Sequence, residues 1–215
     1  MNFIAFQSLK SCVGTSLLAG HFCARAKELG RRVVEVSFEP RGDLAKLTQP
    51  LGITCLDGLA GEDDWSDSDL VVIDVSARIE KNPVDVDLTV IPVDARLSVH
   101  AAMNLSDRLS EEVVWIENHP HVDHVLRPID LPPYMDHVRV LGDLRGVPHS
   151  RAIRQAALEH RIVWSDAAGA ASPGGRRLRA AVDHLLDILA QIHAERPILD
   201  PVQPGPSDPP PECHV

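Results

Sequence analysis

The sequence predicts an α/β fold of three layers, in which a mostly parallel central sheet carries helices on both faces. Three observations predict it. Short apolar runs of strand type alternate with longer segments in which apolar residues recur at helical spacing. The run Leu70–Asp74 begins with four consecutive apolar residues, as a strand covered on both faces requires. The length of 215 residues corresponds to one domain of ordinary size.

The first thirty residues predict a strand, a short loop and a helix. Met1–Gln7 is an apolar run, Ser8–Ser16 is a loop of small residues, and Leu17–Leu29 places apolar side chains on one helical face. In this order of elements the loop amides and the positive end of the helix dipole converge on one point, where an anion is stabilised. The sequence therefore predicts a phosphate site at this loop.

Composition narrows the function classes. The formal net charge of −10 argues against a protein that binds nucleic acid with its whole surface, although a local basic patch is compatible with it. Neither a secretory signal pattern nor an apolar run of membrane-spanning length is present, so we expect a cytoplasmic protein without membrane insertion. The four cysteines are scattered, which indicates neither a disulfide framework nor a zinc site.

The next two strands bring polar residues to their ends. Arg32–Ser37 is predicted as the second strand, and the loop after it contains Pro40 and Gly42. The strand Leu70–Asp74 ends in a carboxylate, which we expect at the carboxyl edge of the sheet, where ligands bind in this architecture. The alternative is that Asp74 caps the following turn.

Two further strands are predicted at 87–93 and 113–118, with a helix at about 98–110 between them. The second of these strands ends at Asn118, whose amide can both donate and accept hydrogen bonds. Asparagine is also a common turn former, so a binding role and a turn role both remain open here.

The last third of the chain predicts a strand at 138–142, a helix from Ser150 to about Glu159, a short strand at 161–164 and a long helix after Pro173–Gly175. Apolar residues follow one stripe of that final helix, which we expect to pack on the sheet. Residues 196–215 are rich in proline and predict a disordered tail.

The loop Lys10–Ser16, which reads Lys-Ser-Cys-Val-Gly-Thr-Ser, resembles the deviant Walker A loop of the ParA/MinD family, Lys-Gly-Gly-x-Gly-Lys-Ser/Thr. Pro40 and Gly42 match the family's Asp-x-Asp-Pro-Gln-Gly, and Asp87–Val93 is similar to its strand ending Ile-Pro-Val. The resemblance covers about residues 1–194 and implies a P-loop NTPase-like fold.

The resemblance also implies a nucleotide site for ATP or ADP with Mg²⁺, and a homodimer. Lys10 matches the signature lysine that reaches across the dimer to the other subunit's nucleotide. By position in the family's motifs, the nucleotide contacts are Cys12, Val13, Gly14, Thr15, Ser16, Leu17 and Asn118, and the magnesium contacts are Ser16 and Asp74.

Four of the departures from the family pattern bear on activity. Thr15 replaces the lysine that contacts the β and γ phosphates, and Ser11 and Cys12 replace two glycines. Ser37 replaces the aspartate that helps to orient the attacking water. The lost cation removes a contact of about 1.5 to 3 kcal/mol, and both neutral replacements weaken transition-state stabilisation. We therefore expect weak or lost ATP hydrolysis.

Three functions are compatible with these residues. The first is a nucleotide-dependent switch that positions a plasmid, a chromosome or a protein cargo, with a protein partner or cargo adaptor. The second is a degenerate scaffold of a bacterial machine, because Val13–Ser16 also resembles the loops of TadZ/CpaE proteins of pilus assembly. The third is an enzyme that binds a phosphorylated metabolite at the same helix terminus.

The last two predicted helices carry several arginines. In partition ATPases, arginines of this region bind DNA without sequence preference, and the alternative is an ordinary solvated face. The residues concerned here are Arg151, Arg154, Arg176, Arg177 and Arg179.

Overall fold

The computed structural model describes residues 1–9, 14–38, 43–58, 65–79, 82–93, 95–118, 135–141, 147 and 150–195. The predicted tail at 196–215 lies outside these ranges, as do Lys10–Val13 of the loop, Pro40 and Gly42.

The described residues form seven strands and six α-helices. In chain order they are β1 (Asn2–Gln7), α1 (Thr15–Glu28), β2 (Val33–Ser37), α2 (Asp43–Thr48), β3 (Thr54–Asp57), β4 (Leu70–Val75), β5 (Leu88–Val93), α3 (Ala95–Ser106), β6 (Glu112–Glu117), β7 (Val138–Leu141), α4 (Arg151–Leu158), α5 (Ala167–Ala171) and α6 (Pro173–Glu195). A short 3₁₀ turn, Gln49–Leu51, follows α2.

All strands belong to one sheet in the order β3-β2-β4-β1-β5-β6-β7. Every neighbouring pair is parallel. A parallel sheet has to be covered on both faces, and β4, near its centre, is buried along its whole length. The predicted α/β fold with a parallel sheet between helices is confirmed.

Side chains of successive strand residues alternate between the two faces of the sheet. Leu70 and Val72 of β4 belong to the larger core, which α1, α4 and α6 cover. Val71 and Ile73 lie on the opposite face, where α3 covers a neighbouring cluster. Within the described ranges, every helix is too short or too polar to cross a lipid bilayer.

The predicted strand at 161–164 is wrong. These residues form a turn in which the backbone N–H of Ser165 donates to the carbonyl of Ile162 (3.0 Å). Val163 and Trp164 are nevertheless buried, because the turn packs against α1 instead of pairing with a strand. An apolar segment that is buried by a helix and one that is buried in a sheet look alike in sequence.

The final helix also begins earlier than expected. Gly174 and Gly175 were predicted to precede α6, but they lie in its first turn. A side chain on Gly174 would overlap with Ser150, and one on Gly175 would overlap with the carbonyl of Gly169. The two glycines therefore allow α6 to approach α4 and α5 closely.

His21 joins α1 to the turn at 161–164. Its Nε2 accepts a hydrogen bond from the backbone N–H of Val163 (3.0 Å), so its Nδ1 carries the proton and donates to the carbonyl of Leu17 (2.7 Å). The ring also contacts Trp164 edge-on, with 5.1 Å between ring centres. Burial lowers the pKa of His21 to about 4, and the imidazole is neutral at neutral pH.

We expect this histidine to make the fold acid-sensitive. In the unfolded chain the imidazole has its ordinary pKa of 6.5, whereas the folded protein lowers it to about 4. Its contribution to stability is therefore complete above pH 6.5 and is lost as the pH falls towards 4, by about 3 kcal/mol. Urea unfolding at a series of pH values measures this loss.

His21→Gln gives the comparison, because glutamine cannot gain a proton in this range. The difference in unfolding free energy between the wild type and this variant should shrink as the pH falls from 6.5 to 4. His193→Gln, at an exposed position of α6, is the matched control and should show no such trend. A difference for His21→Gln that stays constant with pH would contradict the assignment.

Candidate functional site

The carboxyl ends of β2, β4 and β1 meet at one edge of the sheet. Asp74 of β4 is paired in register with Phe6 of β1 and with Ser37 of β2. Phe6 precedes the loop that leads to α1, and Ser37 occupies the position where the family carries an aspartate. The two polar side chains therefore stand side by side at the level where that loop begins.

Asp74 points to the side of the sheet that α1 covers. Along β4, Asp74 lies on the same face of the sheet as Leu70 and Val72, which pack beneath α1. Val71 and Ile73 lie on the opposite face. Burial raises the pKa of the Cys23 thiol on α1, and nearby acidic groups, Asp74 among them, raise it further. Cys23 is therefore on the side of α1 that faces Asp74. Ser16 lies about two turns before Cys23 on that same side of the helix.

Gly14 forms the start of α1. It caps the helix with a φ of 87°, in the left-handed region that favours glycine, and its carbonyl accepts the first helical hydrogen bond from Leu18 N–H (3.0 Å). The first turn of α1 contains no acidic residue. The amides of this turn, which have no partner within the helix, and the helix dipole therefore favour an anion at this end.

Asn118 lies directly against Gly14. A side chain on Gly14 would overlap with the Asn118 amide nitrogen, and Asn118 is only 2% exposed. Its backbone is held by a hydrogen bond from Asn118 N–H to the carbonyl of Val93 (2.8 Å) and by a parallel bridge to Val147. The ends of β5 and β6 thus place this amide on the loop after β1.

The structure brings several of the predicted site residues together. Gly14 and Asn118 are in contact, Asp74 lies on the strand beside β1, and Thr15, Ser16 and Leu17 form the half-buried first turn of α1. Lys10, Ser11, Cys12 and Val13 lie outside the described residues. The structure shows that Asn118 contacts Gly14. That the Asn118 amide recognises a nucleotide base stays a prediction.

These residues fit a magnesium-bound phosphate with one exception. The Ser16 hydroxyl and the Asp74 carboxylate are hard oxygen ligands of the kind that Mg²⁺ prefers. The first-turn amides suit phosphate oxygens. The exception is Thr15, which has a hydroxyl where the Walker A pattern has a cationic lysine.

A buried polar cluster beside the site was not predicted. Glu35 of β2 is fully buried on the face of Ser37. Its carboxylate accepts hydrogen bonds from the Thr48 hydroxyl at the end of α2 and from the Cys55 thiol of β3 (3.3 Å). Burial raises the pKa of Glu35. A lone carboxylate in a run of valines was the sequence feature that could have revealed it.

The arginines of the predicted DNA surface lie in different environments. Arg151 and Arg154 are exposed on α4. Arg176 donates to the carbonyl of Ala171. Arg179 pairs with Glu28 of α1 (2.9 Å), and its guanidinium lies 5.7 Å from the centre of the Trp164 ring. Arg177 is half-buried.

No family model and no curated protein matches the sequence. Solved structures with a similar fold include the MinC:MinD cell division protein complex of Aquifex aeolicus, with a TM-score of 0.62 and 14% identity over 87% of this chain and 96% of the other. The septum site-determining protein MinD of Pyrococcus horikoshii, complexed with Mg-ADP, is similar with a TM-score of 0.61. The two chains are 15% identical over 91% of this chain and 99% of the other.

A plasmid partition protein of Borrelia burgdorferi bound to AMPPNP is also similar, with a TM-score of 0.59 and 11% identity over 87% of this chain and 99% of the other. The fold is that of the MinD and ParA P-loop ATPases. At these identities the likeness establishes the MinD/ParA fold alone, and the AMPPNP, ADP and Mg²⁺ bound in those structures are properties of those proteins.

The contact between Gly14 and Asn118 can be tested against a matched glycine. Gly30 has a similar φ of 82°, and among the described residues nothing lies within 4 Å of a side chain built there. We expect Gly30→Ala to cost about 1 to 2 kcal/mol for the left-handed conformation. Gly14→Ala should cost more, because the added methyl group overlaps with Asn118. Urea unfolding of both variants measures the difference.

The excess cost of Gly14→Ala should diminish in an Asn118→Ala background, where the overlap is removed. Equal costs for the two glycine variants, or an excess that Asn118→Ala leaves unchanged, would show that the amide does not hold the loop.

Proposed function

We propose that this chain is a ParA/MinD-like nucleotide-binding switch for the partition or positioning of a plasmid, a chromosome or a protein cargo, with weak or lost ATP hydrolysis. The observation that carries the proposal is the joining of Gly14 and Asn118 at the start of α1, with Asp74 on the strand beside β1. The MinD/ParA fold supports it.

In this proposal residues Cys12–Leu17 hold the phosphates of ATP or ADP, and Asn118 lies next to the base. Ser16 and Asp74 hold Mg²⁺, which would neutralise phosphate charge when bound. Lys10 reaches the nucleotide of a second copy, so the nucleotide-bound state is a homodimer. The partner that reads this state is a protein or a cargo adaptor.

Weak hydrolysis follows from two neutral side chains. Thr15 offers no positive charge to the phosphates, and Ser37 offers no negative charge to an attacking water. Ser37 is paired with Asp74 and is only 7% exposed, and in this proposal its neutral hydroxyl replaces the catalytic carboxylate of the family. Binding depends less on these groups than turnover does, because amides and Mg²⁺ supply the remaining contacts.

A second candidate is a scaffold of TadZ/CpaE type that has lost the nucleotide altogether. The observation that favours it is the same Thr15, which lies half-buried in the first turn of α1 and leaves that turn without a cation. The two candidates differ in whether ATP binds.

Non-specific DNA contact belongs to the switch proposal through the arginines of α4 and the start of α6. Arg151, Arg154 and Arg176 are exposed, whereas Arg179 already pairs with Glu28. These three exposed arginines are therefore better candidates for DNA contact than Arg179.

Calorimetry with ATP and ADP, with and without Mg²⁺, tests the switch. We expect Mg-dependent ATP binding together with a doubling of mass in light scattering. Ser16→Ala should weaken Mg-ATP binding by about tenfold and leave Mg-free binding unchanged. Ser165→Ala, at an exposed turn position, is the control. Failure of both nucleotides to bind would reject the switch in favour of the scaffold, and binding of a different phosphorylated metabolite would support the third function.

Restoring the missing charges should restore turnover. We expect the double variant Thr15→Lys with Ser37→Asp to raise the rate of phosphate release from ATP by about tenfold or more, because it supplies a phosphate-binding cation and a carboxylate for the water. Thr15→Met with Ser37→Asp adds side-chain length without the cation and should show less gain. Phosphate release by the double variant at the wild-type rate would mean that the side chains of Ser11 and Cys12 obstruct the pocket.

A further inference from the structure

The backbone of Asn118 is fixed by the sheet, and its side chain lies against a third segment. Its N–H donates to the carbonyl of Val93 at the end of β5 (2.8 Å), and a parallel bridge joins it to Val147. The N–H of Val147 in turn donates to the carbonyl of Glu117 (2.6 Å). The third segment is the start of α1, where the side chain meets Gly14. The sheet therefore presents this amide to the helix from a fixed position.

The nitrogen end of the Asn118 amide is turned towards Gly14. Of the amide atoms, Nδ2 comes nearest to the position that a Gly14 side chain would occupy, and Oδ1 lies farthest from it, at 3.8 Å. Gly14 also accepts the first hydrogen bond of α1, from Leu18 N–H (3.0 Å). The amide thus contacts the residue that sets the direction of the first-turn N–H groups.

The burial of Asn118 leaves little of its amide for a nucleotide base. An asparagine that recognises a base has to donate and accept hydrogen bonds along one accessible edge. Asn118 is only 2% exposed, and its nitrogen end faces Gly14. An amide in this position contributes to binding through the segment that it touches.

The phosphate affinity of the loop depends on how firmly Gly14 is held. The first-turn amides meet phosphate oxygens only in the orientation that the start of α1 gives them. A loop that has to be ordered by its ligand loses backbone entropy on binding, whereas a loop that is already ordered does not. Thr15 supplies no cation to offset such a loss. Preorganised amides therefore matter more in this chain than in a loop with the Walker A lysine.

We infer that Asn118 is a positioning residue of the phosphate loop, which raises the affinity of the site for a triphosphate chain whatever base the nucleotide carries. The ligand class that Asn118 serves is the polyphosphate group, inorganic tripolyphosphate included. The inference rests on the proposed nucleotide site and deepens it. It gives Asn118 a different task from base recognition.

Calorimetry of the full chain with Mg²⁺ and one of three ligands, ATP, GTP or inorganic tripolyphosphate, tests this role. Asn118→Ala removes the contact with Gly14, and we expect the affinity for all three ligands to fall by about fivefold. The ratio of ATP affinity to tripolyphosphate affinity should stay within about twofold of the wild-type ratio. Asn104→Ala, at an exposed position of α3, is the matched control and should bind as the wild type does.

Asn118→Leu separates packing from hydrogen bonding. Leucine fills a similar volume but has no group that can recognise a base. We expect this variant to regain part of the affinity that Asn118→Ala loses, again with the wild-type ratio between ATP and tripolyphosphate. Because it refills the space beside Gly14, it also provides the test if Asn118→Ala does not fold.

The outcomes separate this inference from the proposed function. A loss of about tenfold or more in ATP affinity, with tripolyphosphate affinity unchanged, would assign Asn118 to the base and overturn the inference, while the switch would stand. Unchanged affinity of Asn118→Ala for all three ligands would overturn it equally. Tripolyphosphate binding that depends on Asn118, in a chain that binds neither nucleotide, would support the positioning role and reject the switch. A wild-type chain that binds none of the three would overturn both.

Discussion

The close approach of Gly14 and Asn118 is the constraint on which the candidate site depends. Gly14 can start α1 in a left-handed conformation because it lacks a side chain, and the same lack makes room for the Asn118 amide. A single missing methyl group thus serves both the backbone turn and the contact with the end of β6. The loop after β1 and the end of β6 are joined at this point.

The helix that begins at Gly14 is fixed along its length by contacts on its other sides. His21 donates a hydrogen bond to the carbonyl of Leu17 within α1 and accepts one from the backbone N–H of Val163. Glu28 accepts hydrogen bonds from the indole of Trp164 (2.8 Å) and from Arg179 of α6 (2.9 Å). Exposed ion pairs contribute little individually, so the buried histidine and the apolar core carry most of this attachment. Both features keep the amino end of α1 in a fixed position relative to the sheet.

In the candidate site, residues that match the resembled family lie close together, whereas two charged residues of that family are replaced by neutral ones. Gly14 and Asn118 are in contact and Asp74 lies on the strand beside β1, yet Thr15 and Ser37 are neutral where the resembled ParA/MinD pattern is charged. Packing and hydrogen bonding maintain the fold without those charges, because neither charge belongs to the apolar core.

The sequence by itself determined the α/β class, the strands β1, β2, β4, β5, β6 and β7, and the helices α1, α3, α4 and α6. Those features follow from apolar periodicity and chain breakers, which act over a few residues. Only the tertiary structure decided the strand order, the turn at 161–164 and the existence of β3, whose residues are too polar and too exposed to form a recognisable strand pattern. It also decided that Asn118 contacts Gly14, that Arg179 pairs with Glu28, and that Glu35 is buried with Thr48 and Cys55. Each of these depends on groups far apart in the chain that packing brings together, and no local pattern encodes that approach.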